Sequence, residues 1–257
     1  MRIETGKMIL EKEPIEKARY NDLASKFNAL LLDDHKSQKA RDYLAERGID
    51  DHLIKKFNIG WCPEQTHIQN LDILAGRIIF PIRDEYGDTI AFSGRLPVKK
   101  SDIPKEVPHY WNDPFPKSLY LYNLDKAWPQ ILFYGFTIIV EGNCDVITCY
   151  KHGIKNVVAT MGTAFTREHF GKLSRFGTNF ILMFDSDEGG RKASFLAKSI
   201  LSGYRDCSVL DINLNIGGKG YDPDEFIGKF GSQELRKQIE KKSNEIGFEI
   251  GVWNKWL

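Results

Sequence analysis

Residues 136–161 read FTIIVEGNCDVITCYKHGIKNVVATM. Two apolar runs, FTIIV (136–140) and NVVATM (156–161), flank a helix-like segment near 145–152, and neither run alternates with polar residues. Unbroken apolar runs of this length read as strands buried on both faces, as in a mainly parallel sheet covered by helices. The pattern recurs downstream in FILMF (180–184) and SVLDINL (208–214), with helix-like segments near 166–176 and 188–202. The order βαβαβαβ predicts an α/β layer, and in open sheets of that type ligands collect at the carboxyl ends of the strands.

Those ends carry acids. The first strand runs into Glu141, with Asp145 four residues on in the first turn of the next helix. The third runs into Asp185 and Asp187, which at i and i+2 on extended backbone face the same way. The loop NIGGKGYDPDEF (215–226) adds Asp222 and Asp224, with Pro223 between them biasing Asp222 toward extended geometry. Taken singly, each acid has an ordinary explanation as a helix cap or a turn residue. Taken together they do not, because two like charges about 4 Å apart repel by roughly 4 kcal/mol at an effective dielectric near 20. A hard divalent ion, Mg²⁺ or Mn²⁺, removes that cost and suits all-oxygen ligands, and acidic clusters holding two such ions are equipment for phosphoryl transfer. Histidine and cysteine ligand patterns are absent, so no zinc is expected.

Working outward, the N-terminal half differs. Residues 1–35 read as one or two short amphipathic helices, and KARDYLAERGIDDHLIKKFNIG (39–60) as a helical hairpin with Gly48 and Gly60 as stops and Asp50 as an N-cap. GRIIFPIRDEYGDTIAFSGRL (76–96) predicts an antiparallel hairpin with Pro81 at an edge or bulge. Residues 97–118 read as an extended, proline-rich surface loop, in which Lys99, Lys100 and Lys105 are solvated cations. At the far end, residues 225–257 suggest helices with an apolar face bearing Phe248, Trp253 and Trp256, packed on the body. The expected organisation is a helical lead-in (1–35), a mixed α/β basic subdomain (36–130), the parallel-sheet domain (131–215), and an acidic loop with C-terminal helices (216–257).

Composition bounds the rest. With 257 residues and 42% apolar content the chain can fill a sizeable core. Lysine and arginine number 36 against 35 acids, so bulk charge points to neither nucleic acid nor membrane, and any nucleic-acid contact must come from a local patch. No apolar run approaches the about 18 residues of a membrane span. The four cysteines form no CxxC pair, which favours reduced thiols and a cytoplasmic setting.

EGxxD at a strand end, FDSDEGGRKA after a later strand, and DPD after the last resemble the TOPRIM domain. Within that group the chain resembles DnaG-type DNA primases, through YLAERGIDDHLIKKFNIGWCP, GRIIFPIRDEYGDTIAFSGR, PHYWNDPFPKSLYLYNLDKA and NVVATMGTAFTREH in the family's order. The resemblance covers roughly Phe27 to the C-terminus. It implies a primase that uses Mg²⁺ or Mn²⁺ to add ribonucleoside triphosphates along a single-stranded DNA template. The acidic positions carry over to Glu141, Asp145, Asp185, Asp187, Asp222 and Asp224, with Glu141 either a ligand or the proton acceptor. The nucleotide- and template-binding positions carry over to Arg47, Arg95, Asn112 and Lys117. His109 stands where the family's loop usually has lysine, replacing a fixed cation with one whose charge depends on pH. The family's zinc-binding and helicase-binding domains are not recognised, so either a separate zinc-binding module is a partner or primers start differently; a replicative helicase is a further expected partner, and a phage or mobile-element primase is the expected type. A TOPRIM nuclease and a non-catalytic replisome component are the alternatives. A topoisomerase does not fit the length.

Overall fold

A glycine and an asparagine position the first helices. The computed structural model describes residues 3–4, 7–8, 12–33, 35–63, 72–98, 102–104 and 106–248. Contacts divide the chain into two units, Met1–Pro116 and Lys117–Leu257. In the first, β1 (Ile3–Glu4) and β2 (Lys7–Met8) pair antiparallel. α1 (Pro14–Asp33) is a single helix of 20 residues that buries Leu23, Ala24, Phe27 and Leu31 along one stripe. α2 (Gln38–Glu46) and α3 (Asp51–Phe57) follow, and the Asp50 carboxylate caps α3 by accepting from the Leu53 amide at 2.9 Å, as expected. The stop of α3 is Asn58, in the left-handed region at φ 53°, and not Gly60. Gly60 opens β3 (Gly60–Cys62) and serves packing, since a Cβ there would stand 2.5 Å from the Phe27 Cβ.

β4 (Arg77–Arg83) and β5 (Thr89–Arg95) form the predicted hairpin inside an antiparallel sheet of order β3-β4-β5-β6. Pro81 lies past the end of the β3 pairing and beside the register shift at Ile82/Arg83, so its missing N–H breaks no ladder bond. β6 (Tyr110–Asn112) corrects the surface-loop reading of 97–118. Three residues are too few to show a strand pattern, and the pairing of Arg95 with Tyr110 and Ser93 with Asn112 comes from β5. Lys99, Lys100 and Lys105 lie outside the described residues, as do Trp253 and Trp256.

The first long helix of the second unit is α4 (Leu124–Tyr134), which packs on the parallel sheet. Then come β7 (Thr137–Val140), α5 (Asn143–Lys151), β8 (Val157–Ala159), α6 (Arg167–Leu173), β9 (Asn179–Leu182), α7 (Glu188–Leu201) and β10 (Ser208–Asp211). The strands are parallel in the order β10-β9-β7-β8. Ile139, Val158, Phe180 and Leu182 share one apolar cluster with residues of α4, α6 and α7, while alternation turns Ile138, Val140 and Ile181, equally buried, to the other face. This is the α/β fold with an α+β N-terminal part that the sequence predicts. The segment 215–220, read as loop, is a small hairpin of β11 (Asn215–Ile216) and β12 (Lys219–Gly220), turned by Gly217 and Gly218 at positive φ. α8 (Pro223–Phe230) and α9 (Ser232–Ile246) follow, and Phe248 is buried behind α9. Among the described residues no helix is long and apolar enough to cross a membrane.

Candidate active site

β7 leads to β8 on one side and has β9 on the other, so the order reverses between β7 and β9. A crevice forms at such a point because the two connections leave in opposite directions. Glu141 directly follows β7 and Asp185 comes three residues after the end of β9, and a Glu141 side-chain oxygen accepts from the Asp185 amide at 3.2 Å. The apolar strands thus deliver two acids to one place.

The loop after β9 is held by α7. Asp187 is the α7 N-cap and accepts from the Gly190 amide at 2.8 Å. Gly190 has no alternative residue, because a Cβ there would stand 1.9 Å from the Asp185 carbonyl oxygen. Asp222 likewise caps α8, accepting from Glu225 at 2.6 Å, with Pro223 at the first helical position. Asp224, in the first turn, receives a hydrogen bond from the Thr148 hydroxyl at 2.6 Å. Asp145 is buried, and its two oxygens accept from the Gly142 amide at 3.0 Å and the Asp224 amide at 3.3 Å.

The electrostatics follow from this crowding. Burial, then Glu141, Asp222, Asp187 and Glu225, push the Asp185 carboxyl up to about 7. Burial also raises Glu141, opposed by the Asp185 amide and reinforced by Asp187. Asp145 is held well above the carboxylate range by burial and by Asp222, Asp185 and Asp224. Asp185 Oδ1 is buried with no hydrogen-bond partner among the described residues. A lone buried oxygen facing a ring of acids, with only oxygen donors around it, fits a hard divalent cation. Among the described residues no three acidic, histidine or cysteine side chains form a ready-made cage, and most of these carboxylates accept from backbone amides.

Lys117, in the same unit, donates to the Met161 carbonyl at 3.1 Å, and burial lowers its pKa. Met161 is at φ 59°, uncommon for a side chain of this size, and its amide donates to the Glu141 carbonyl. One strained residue therefore ties Lys117 to the Glu141 loop. Reading the sequence did not single out Met161, and nothing in its type or spacing marks it.

The remaining candidates gather in the first unit. Arg47 Nε donates to the Tyr43 hydroxyl at 2.6 Å, and Arg95 donates to the Tyr110 hydroxyl at 3.0 Å. The Tyr43 ring lies within 5.3 Å of the Arg47 guanidinium and 4.9 Å of that of Arg95. His109 meets the Tyr110 ring edge-on, and its carbonyl accepts from Arg77. Asn112 sits on β6 opposite Ser93. Tyr43 was missed, although its i,i+4 spacing to Arg47 was visible.

Residues 27–71 and 64–128 match the family described as the DNA primase catalytic core, N-terminal domain, and residues 135–211 match the Toprim domain. This chain belongs to the DnaG-type primase catalytic cores. The core is 36% identical over 246 residues to the DNA primase of Lactococcus lactis, covering 86% of this chain and 38% of that protein. It thus spans under half the length of that curated relative. A solved structure of the Aquifex aeolicus primase, comprising zinc-binding and RNA polymerase domains, matches at TM-score 0.72 and 30% identity over 90% of this chain and 63% of that one. A DnaG primase catalytic domain bound to single-stranded DNA matches at TM-score 0.75 and 26% identity, covering 88% and 78%.

Proposed function

We propose that the chain is a DNA primase that joins ribonucleoside triphosphates into short RNA primers along a single-stranded DNA template. The observation that carries this reading is the acidic cluster at the β7/β9 switch point of a DnaG-type core, with Asp185 raised to about 7 by burial and then by its acidic neighbours. Asp185, Asp187, Asp222, Asp224 and Glu141 would hold two or more Mg²⁺ or Mn²⁺ ions. When bound, such ions supply charge to the triphosphate and favour the ionised 3′ hydroxyl of the primer. The chain's own residues do the rest. Asp187 and Asp222 are oriented by the helix starts they cap, so their carboxylates are fixed before substrate arrives. Lys117 offers its ammonium to a triphosphate or template phosphate. Arg47, Arg95, Asn112 and His109 bind nucleotide or template phosphates, and the tyrosine rings hold the two guanidinium planes in place. Glu141 acts either as a ligand or as the acceptor of the hydroxyl proton.

The test is purified protein with a single-stranded template, labelled ribonucleotides and Mg²⁺ or Mn²⁺, repeated with a zinc-binding module and a replicative helicase added. Short RNA products that vanish in Asp185→Ala uphold the reading. Template degradation in the absence of nucleotides overturns it in favour of a nuclease. Template binding with no product under any of these conditions leaves a non-catalytic replisome component.

A further inference from the structure

Three acids of the proposed site are anchored near the parallel sheet, but Asp222 and Asp224 are not. They follow a hairpin of two residue pairs and begin a helix. What keeps them in register with Glu141 and Asp185 is a set of contacts from outside their own segment. Asp145 and Thr148 lie three apart on α5, hence on one face. Asp145 takes the Asp224 amide and Thr148 donates to the Asp224 carboxylate at 2.6 Å, so the two grip one residue by backbone and side chain. A threonine hydroxyl within a helix ordinarily turns back to a carbonyl of the preceding turn. Thr148 instead reaches a carboxylate 76 residues away in sequence.

A second hydroxyl acts from the opposite side. Ser186, between Asp185 and Asp187, has its Oγ 3.0 Å from Asn213 Oδ1 and 3.1 Å from the carbonyl oxygens of Leu214 and Tyr221. Those two carbonyls stand at the mouth of the β11–β12 hairpin, and Tyr221 directly precedes Asp222. The approach is close: a Cβ on Gly220 would stand 2.4 Å from the Ser186 Cβ.

We propose that Thr148 and Ser186 are positioning residues whose hydroxyls strap the Asp222–Asp224 segment to the carboxylates at the strand ends, so that their loss weakens cation binding. The inference rests on the primase reading for its consequence in catalysis, but cation binding tests it independently. Thr148→Val keeps the shape and removes the donor, Thr148→Ser restores it, and Ser186→Ala cuts the other strap. Mn²⁺ binding to the full chain is read by the loss of the free-ion EPR signal, and primer synthesis by Mg²⁺ titration.

For Thr148→Val the Mn²⁺ dissociation constant and the half-saturating Mg²⁺ concentration are expected to rise about tenfold or more, in the range for partners that orient ligands. The rate at saturating Mg²⁺ should stay within about twofold, since the reacting groups are unchanged. Thr148→Ser should bind Mn²⁺ like the wild type. Ser186→Ala should shift both constants in the same direction and serves as the test if Thr148→Val does not fold. Wild-type Mn²⁺ affinity in a folded Thr148→Val and in Ser186→Ala overturns the inference, as does a Thr148→Ser variant as weak as the valine. If the wild-type chain binds Mn²⁺ yet makes no primers, the function reading fails while the straps are still judged by affinity.

Discussion

The two units hold their charges in opposite ways. In the first, Arg47 and Arg95 lie against the rings of Tyr43 and Tyr110, whose negative faces orient the cations. In the second, carboxylates crowd against one another and are held by backbone amides and hydroxyls. Amides orient an anion but neither restore its lost hydration nor cancel the repulsion between anions, and burial together with that repulsion raises the Asp185 carboxyl. An aromatic cradle is complete as it stands. The acidic cluster is relieved only when a proton or a cation offsets the crowded charge.

The largest expected effect breaks the acidic half of this comparison. Asp185→Asn should cost primer synthesis roughly 10³-fold, on the several-kcal/mol scale of metal catalysis. It should also raise the cation-free melting temperature at pH 8, because it removes a charge that its neighbours repel. A lower melting temperature would count against an unfavourable buried charge, the joint effect of burial and acidic neighbours, at this position.

Gly190→Ala attacks the scaffold beneath the same acid. Its Cβ overlaps the Asp185 carbonyl, so urea unfolding should show a loss of about 2 to 3 kcal/mol, the upper range for overpacking. Unchanged stability would mean that α7 can shift off the Asp185 backbone at no cost.

The pH dependence sharpens the contrast. A carboxyl raised from 3.8 to about 7 binds its proton more tightly in the native state. Its contribution is therefore fully present below about pH 4 and is lost as pH rises through about 7. Without divalent cations, the Asp185 contribution lowers the melting temperature between about pH 5 and pH 8, a trend that Asp185→Asn should flatten. Because cations require the ionised form, Mn²⁺ affinity should fall about tenfold per pH unit below about 7. Calorimetry across that range checks both signs.

The smallest effect tests the basic half. Tyr43→Leu keeps apolar bulk and removes the ring between two guanidinium groups, at about 1 kcal/mol. Template affinity should drop several-fold while Mn²⁺ affinity is untouched. Loss of Mn²⁺ affinity in this variant would show that the two sites are not independent.

Much of the fold was legible in the sequence, since unbroken apolar runs at 136–140 and 180–184 have few ways to be buried. The Asp50 cap and the 76–96 hairpin were legible because each is a local pattern. What escaped was short or borrowed its stability from elsewhere. Asn58 ends α3 where Gly60 looked the better stop, because Gly60 is needed under Phe27. Tyr110–Asn112 is a strand only because β5 offers its edge. At the site, the acids were visible as residue types at strand ends, whereas Thr148 in VITCY and Ser186 in FDSD read as ordinary polar residues.

By itself, then, the sequence determined which residues form the parallel layer and which acids lie at its carboxyl ends. Periodicity and strand termini are properties of neighbouring residues, so they can be read along the chain. Only the tertiary structure decided what each acid does: Asp187 and Asp222 cap helices, Asp145 is buried as a brace, and Asp185 keeps an oxygen without a partner. The two caps use amides three residues on, a pattern local to the chain, whereas the brace needs a donor that packing brings near from 79 positions away.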